Sequence, residues 1–381
     1  MFGWMKILAV KQTKNRHDSQ ADADVPRHLA MPHSTPSDQK SIMTRNTFTR
    51  YIVAGLVALA PLTTPVLADA IIYEQSADPV AFNADPTDER LRPFVVDKEE
   101  YPFKSHWFER NGVAMHYIDE GEGFPIVLTH GNPDWSFLNR NIIKDMASEA
   151  RVIAYDLPGF GFSESPEGFN WTPQEHAEWI SALVNEHLGL EKFILVVQDW
   201  GGPTGLSVAT DNPEKIAGLV VSNTWAWRPA AALADFSKQM ATPEMQRKLI
   251  DENFFTAEMM PAGINPVSAA NTAVTDAYRM PFPTPESREG AAYFPVAIID
   301  QQEWVSQIEE QLHLLADKPA ELIFGELDEL LGQSDTVARW RGHFPDAPVQ
   351  LLPHANHFTQ EDSPESFGLS LRRLLSQIES E

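Results

Sequence analysis

Short apolar runs alternating with amphipathic stretches predict an α/β fold, a mostly parallel sheet flanked by helices. Two further observations refine this. Residues 226 to about 295 contain no buried-strand pattern and are rich in Met, Ala, Phe and Pro, so they read as short helices inserted into the layered core. The chain has 381 residues, 43% of them hydrophobic, which suffices for one large core carrying such an insertion.

Each element has its own signal. Pro125–Thr129, Arg151–Tyr155, Phe193–Val197 and Ile216–Ser222 are short, rich in Val, Ile and Leu, and end in polar or glycine residues, as buried parallel strands do. Val113–Asp119 alternates like a strand with one exposed face. Pro173–His187 reads as a helix, with Thr172 as N-cap, Pro173 in the first turn and Gly189 just past the end. Glu321–Phe324 and Val349–Leu352 are later strands, and Glu365–Ile378 is a closing helix. Residues 70–105 form an irregular acidic lead-in, and no internal repeat is present.

The N-terminus carries a different message. Met43 to Arg50 is a short basic segment, Tyr51–Leu62 is an apolar run, and Val66-Leu67-Ala68 supplies small residues at a cleavage site, the order of a secretory signal. The run is short for a membrane span, and Pro61 and Pro65 argue against a stable membrane anchor. The expected organisation is therefore an extension and signal peptide over residues 1–68, cleaved near Ala68, giving an exported, periplasmic protein. The first part of the α/β core covers 69–225, a helical cap 226–295, and the second part of the core 296–381.

Composition excludes several chemistries. There is no cysteine, which removes disulfides, thiolate catalysis and Cys-ligated zinc. The formal charge of −25 disfavours a nucleic-acid partner.

The strongest chemical signal is Phe193-Ile-Leu-Val-Val-Gln-Asp199-Trp200-Gly201-Gly202, followed by a segment able to continue as a helix. This is a strand–nucleophile–helix elbow with Asp where G-x-S-x-G has its serine, and it points to an α/β-hydrolase fold. Val197 stands where the first glycine of that pattern is usual. A capping Asp would look the same in isolation. His130-Gly131-Asn132-Pro133, after another strand, is a tight turn able to offer a backbone N–H to an oxyanion. Asp156-Leu-Pro-Gly159-Phe-Gly161 has Glu164 where a dinucleotide fingerprint needs its third glycine, so no such cofactor is expected.

Near the C-terminus, His354 and His357 follow the last strand, and Asp328 follows the strand before it. His357 is preferred as base because it lies deeper in its loop, with Phe358 after it. Asp328 can accept from the imidazole and fix its tautomer. The chain order of nucleophile, acid and base is that of a hydrolase triad.

Together, His130-Gly-Asn-Pro, Asp156-x-Pro-Gly-x-Gly, Val197-Gln-Asp-Trp-Gly-Gly, Gly325-x-x-Asp328 and Asn356-His357-Phe resemble the haloalkane dehalogenase family over residues 100 to 378, specifically in the core and weakly in the cap. The resemblance implies Asp199 as nucleophile, His357 as base, Asp328 as acid, and Asn132 with Trp200 as halide and oxyanion donors. This combination resembles a subgroup with an Asp-His-Asp triad and an Asn-Trp halide pair. It also implies Pro295 as a pocket residue, a small apolar halogenated substrate, water and halide as partners, and no metal or organic cofactor. An epoxide hydrolase is the nearest alternative. It would need two cap tyrosines, and Tyr278 and Tyr293 are the two in the expected cap. A ligand-binding relative without catalysis is a third reading, and the intact Asp199, Asp328 and His357 argue against it.

Overall fold

A computed structural model describes residues 92–380. The signal-peptide expectation falls on residues outside that range.

Eight strands form one sheet: β1 His106–Arg110, β2 Val113–Glu120, β3 Pro125–Leu128, β4 Arg151–Tyr155, β5 Phe193–Gln198, β6 Ile216–Ser222, β7 Ala320–Gly325 and β8 Val349–Leu352. Their spatial order is β1-β2-β4-β3-β5-β6-β7-β8. The pairs β1/β2 and β2/β4 are antiparallel, and every later pair is parallel. The near-continuous apolar runs of β3 to β7 follow from this placement, since a central parallel strand is covered on both faces. β5 and β7 are buried at every position.

One strand departs from its sequence pattern. Val113–Asp119 reads as half exposed, yet Ala114 through Ile118 are buried. The lead-in segment packs over this region, with Phe94, Val96, Tyr101 and Phe103 all inside the same core as Ala114 and Ile118. The polar residue of the alternation, His116, is satisfied internally by Asp156 at 2.8 Å and Ser105 at 2.9 Å. The preceding strand β1 carries no sequence signal.

The helix after β4 begins with a capping box: Thr172 accepts from the Glu175 backbone, and the Glu175 side chain reaches back to Thr172. It is α-helical over Pro173–Ser181 and continues as a π-helical turn over Ala182–His187, with Gly189 at φ +58° beyond it. The Pro364–Ser380 helix closes the fold against the core.

Between β6 and β7 the chain is helical. Ala231–Met240, Pro243–Asp251, Thr272–Arg279, Glu289–Asp300 and Gln302–Gln311 are the longer elements. Several begin with the signals that start helices, such as Pro243 behind the N-cap Thr242. The division drawn at residue 295 falls inside the continuous helix Glu289–Asp300 rather than in a loop. Among the described residues, no helix is long and apolar enough to cross a membrane.

Candidate active site

The sheet brings four loop ends together at its C-terminal edge. β5 runs into Asp199, which adopts φ +47° before the helix Gly201–Asp211 starts. A left-handed aspartate is uncommon and throws the side chain out of the strand path. Two hydrogen bonds hold it there: its N–H donates to the Asn223 carbonyl at 3.1 Å, and its carbonyl accepts from Thr224 Oγ1 at 2.6 Å. The crossing needs glycine on both sides. A Cβ on Gly131 would lie 2.4 Å from the Asp199 side chain, and one on Gly201 would lie 2.2 Å from Thr129 Oγ1. Val197, where the motif usually has glycine, remains an ordinary buried residue of β5.

The loop after β3 reaches the same point. The backbone N–H of Asn132 donates to Asp199 Oδ1 at 2.9 Å. Its side-chain nitrogen donates to the Ala291 carbonyl in the cap at 3.1 Å, leaving a second amide hydrogen for a ligand. His130 braces this loop. Nδ1 pairs with the Gly131 carbonyl, while Nε2 accepts from the Leu157 N–H. Burial pushes its pKa down to about 4, so it is a neutral strut.

From the loop after β8, His357 points between two carboxylates. Nδ1 lies 2.8 Å from Asp328 Oδ2, and Nε2 lies 3.4 Å from Asp199 Oδ2. Burial opposes the charged imidazolium, but Asp328 and Asp199 outweigh it and hold the His357 pKa well above the ordinary imidazole range. Asp328 is 1% exposed and also accepts from Asn223 Nδ2, Leu330 N and Leu331 N. Burial would raise its carboxyl pKa, yet His357 and these donors bring it below the usual range. Asp328 is therefore an acceptor that fixes a proton on Nδ1. His354 is exposed at the surface and does not join the cluster.

Trp200 follows the elbow, buried, with its ring 4.8 Å from Trp225 and 5.5 Å from Phe294. Asn132, Asp199, Trp200, Pro295, Asp328 and His357 all line one cleft, whose other walls are apolar, including Trp225, Phe236 and Leu331. All six residues expected at the site thus meet in one place. Asp199 and His357 are each 9% exposed, open to a small molecule but largely out of water. Among the described residues, no cluster of three or more His, Asp or Glu is arranged to hold a metal.

Sequence reasoning missed four contributors. Asn223, just past β6, bridges Asp328 and the Gly325 N–H. Gln198 lies against His357, Trp225 walls the cleft, and Asp134 is fully buried close enough to Asp199 to feel its charge. Gln198 lies inside the quoted elbow motif, and Trp225 lies just past the Ile216–Ser222 strand. Asn223 carried no signal, because its role depends on strands 102 residues apart.

An acid on a strand–helix elbow, facing a histidine–carboxylate pair and a loop N–H across this sheet, defines an α/β hydrolase. The family model for the alpha/beta hydrolase fold matches residues 125–364. Within that superfamily the chain belongs to the haloalkane dehalogenase family. It is 38% identical over 281 residues to haloalkane dehalogenase 2 of Mycobacterium tuberculosis, covering 73% of this chain and 97% of the relative. It is 29% identical over 297 residues to the cis-3-alkyl-4-alkyloxetan-2-one decarboxylase of Shewanella oneidensis, covering 73% and 90%. Among solved structures, the haloalkane dehalogenase DbeA from Bradyrhizobium elkani superposes with a TM-score of 0.65 at 28% identity, covering 72% of this chain and 98% of that one.

Proposed function

We propose that the protein hydrolyses haloalkanes to an alcohol and halide through an aspartyl-alkyl ester, using an Asp199-His357-Asp328 triad and an Asn132-Trp200 halide pair. The observation that carries this reading is the division of labour on Asp199: Oδ1 accepts the Asn132 N–H, and Oδ2 faces His357 and the cleft.

In the first step Asp199 Oδ2 attacks the halogen-bearing carbon. A C–O bond forms, the carbon–halogen bond breaks, and halide leaves with the electron pair. The free hydrogen of the Asn132 amide and the Trp200 indole N–H stabilise the charge growing on the halide. In the second step His357 takes a proton from water, whose oxygen attacks the carboxyl carbon of the ester. The Asn132 N–H bonded to Oδ1 holds the developing oxyanion. Collapse releases the alcohol and restores Asp199. Haloalkane and water become alcohol, halide and a proton.

The apolar walls suit an alkyl substrate. The epoxide alternative is less well supported, because it needs tyrosine hydroxyls in the cleft. Tyr278 is buried and donates to Glu361 at 2.9 Å, Tyr293 accepts from Gln301 at 3.2 Å, and neither lines the cleft. The reading is tested by halide release across chloro-, bromo- and iodoalkanes. Epoxides and a cis-3-alkyl-4-alkyloxetan-2-one are run in parallel, the latter because of the Shewanella relative. Halide release with bromoalkanes is the expected result; turnover of epoxides or oxetanones alone would overturn it. We further propose that the protein acts after export, on the strength of the signal-like order of residues 43–68.

A further inference from the structure

We infer that Gln198 is a positioning residue that keeps Nε2 of His357 available as a proton acceptor once Asp199 has been esterified. The inference rests on the proposed two-step reaction and extends it to a residue outside the triad.

Gln198 is the last residue of β5, directly before the nucleophile, and pairs in register with Ser222 of β6. It is fully buried, and its amide nitrogen lies 3.1 Å from the His357 carbonyl oxygen and 3.3 Å from His357 Nε2. A carbonyl oxygen only accepts, so the NH2 end of the amide must face it. That assignment leaves the amide oxygen buried without a hydrogen-bond donor. The NH2 group carries two hydrogens. One serves the carbonyl, and the other is positioned for Nε2.

The Nε2 atom is thus contested. Asp199 Oδ2, at 3.4 Å, favours a proton on it, whereas Gln198 favours a lone pair. Nδ1 is not contested, since Asp328 accepts from it and is held as a carboxylate by Asn223 and two backbone N–H groups. The charged and titratable groups facing the ring are Asp199 from the elbow, Asp328 from the β7 loop and Asp134 from the β3 loop, the last with its carboxyl pKa raised by burial and by Asp199. Phe358 stacks edge-on to the ring at 4.7 Å and adds no charge.

Alkylation changes this balance. The ester of Asp199 is uncharged and a weaker acceptor, while the Gln198 donor is unaltered. The imidazolium loses its Nε2 proton to solvent. Nε2 then accepts a proton from the attacking water as the oxygen bonds to the Asp199 carboxyl carbon. Gln198 also tethers the backbone of the base through the His357 carbonyl, so the ring cannot turn away when its attraction to Asp199 falls.

Two measurements test this. In Asp199→Asn, whose amide stands in for the uncharged ester, the His357 pKa is read by NMR of ring-labelled histidine, alone and combined with Gln198→Leu or Gln198→Glu. The expected order is Asn alone lowest, then Leu, then Glu, with Leu raising the value by about one pH unit. This readout needs no substrate, so it stands apart from the dehalogenase reading. In otherwise wild-type protein, Gln198→Leu should leave the single-turnover halide burst within about twofold and slow ester hydrolysis about tenfold. The acidic limb of kcat should move up in pH. Gln198→Glu keeps the side-chain shape and carries the test if Leu fails to fold. An unchanged His357 pKa across folded variants, or equal slowing of burst and hydrolysis with no movement of the pH limb, would overturn the inference. Absence of halide release from the wild type would instead sink the dehalogenase reading.

Discussion

The Asn132 backbone N–H donates to Asp199 Oδ1 at 2.9 Å, and this bond makes the two oxygens of one carboxylate unequal. Oδ1 is held in a donor site suited to an oxyanion. Oδ2 faces His357 and the cleft, and in the proposed reaction it is the attacking atom. Asp199→Asn should therefore abolish turnover, because an amide is a poor nucleophile toward alkyl carbon. His357→Gln should allow the first step and block the second, and mass spectrometry should find the alkyl group on the peptide containing Asp199. An adduct on any other residue would contradict the assignment.

The proposed halide pair has its own signature. Asn132 spends one amide hydrogen on the Ala291 carbonyl, so its free hydrogen points from a fixed frame. Asn132→Ala and Trp200→Phe should each lower haloalkane turnover by about 2.7–4 kcal/mol, on the order of 10²–10³-fold, as for loss of an oxyanion-hole donor. Bromide should quench tryptophan fluorescence in the wild type and less in Asn132→Ala. Equal quenching in both would place the halide elsewhere.

Of the two C-terminal histidines, only His357 reaches the cluster. His354→Ala should retain most activity, measured as kcat/KM for halide release, while His357→Ala should lose it. The reverse order would reassign the base.

Asp134 gives a stability prediction. No side chain donates to either of its oxygens. Burial and the neighbouring Asp199 raise its pKa well above the ordinary carboxylate range, outweighing His357 and the Gly131 backbone. The folded state therefore favours the protonated form. Its contribution is fully present below the unfolded pKa of about 3.9 and is lost as pH rises from there toward the raised folded value. Asp134→Asn removes this loss. The variant should melt close to the wild type near pH 4 and a few degrees higher at pH 7, a gain of about 1–3 kcal/mol. Equal or lower melting at pH 7 would mean that Asp134 is ionised and supported in the fold.

Export is tested at the N-terminus. Expression from Met43 in a bacterial host should yield a periplasmic protein beginning at Asp69. A soluble cytoplasmic protein retaining residue 43 would remove that proposal.

The local patterns of the chain determined a good deal. Buried parallel strands must be short and apolar throughout, so β3 to β7 were legible, as was the capped helix at Thr172. The elbow at Asp199 was legible because a nucleophile at a strand end needs small neighbours beside it, and Gly201 is there. Chain order then made Asp328 and His357 the natural acid and base. Burial of β2 was not legible, because the lead-in that covers it is irregular and its packing has no period. The cap boundary drawn at residue 295 fell inside the helix Glu289–Asp300, because that boundary rested on where a buried-strand pattern was lacking and carried no helix-end signal. Tertiary structure alone decided the electrostatics of the site. The two tyrosines that kept an epoxide reading open do not line the cleft: Tyr278 donates to Glu361, and Tyr293 accepts from Gln301. Nε2 of His357 lies near both Asp199 Oδ2 and the Gln198 amide nitrogen, and Asn223 steadies Asp328 across strands far apart in sequence. Such relationships depend on distances of about 3 Å between separate loops. A linear sequence encodes them only through the whole sheet that sets those loops side by side.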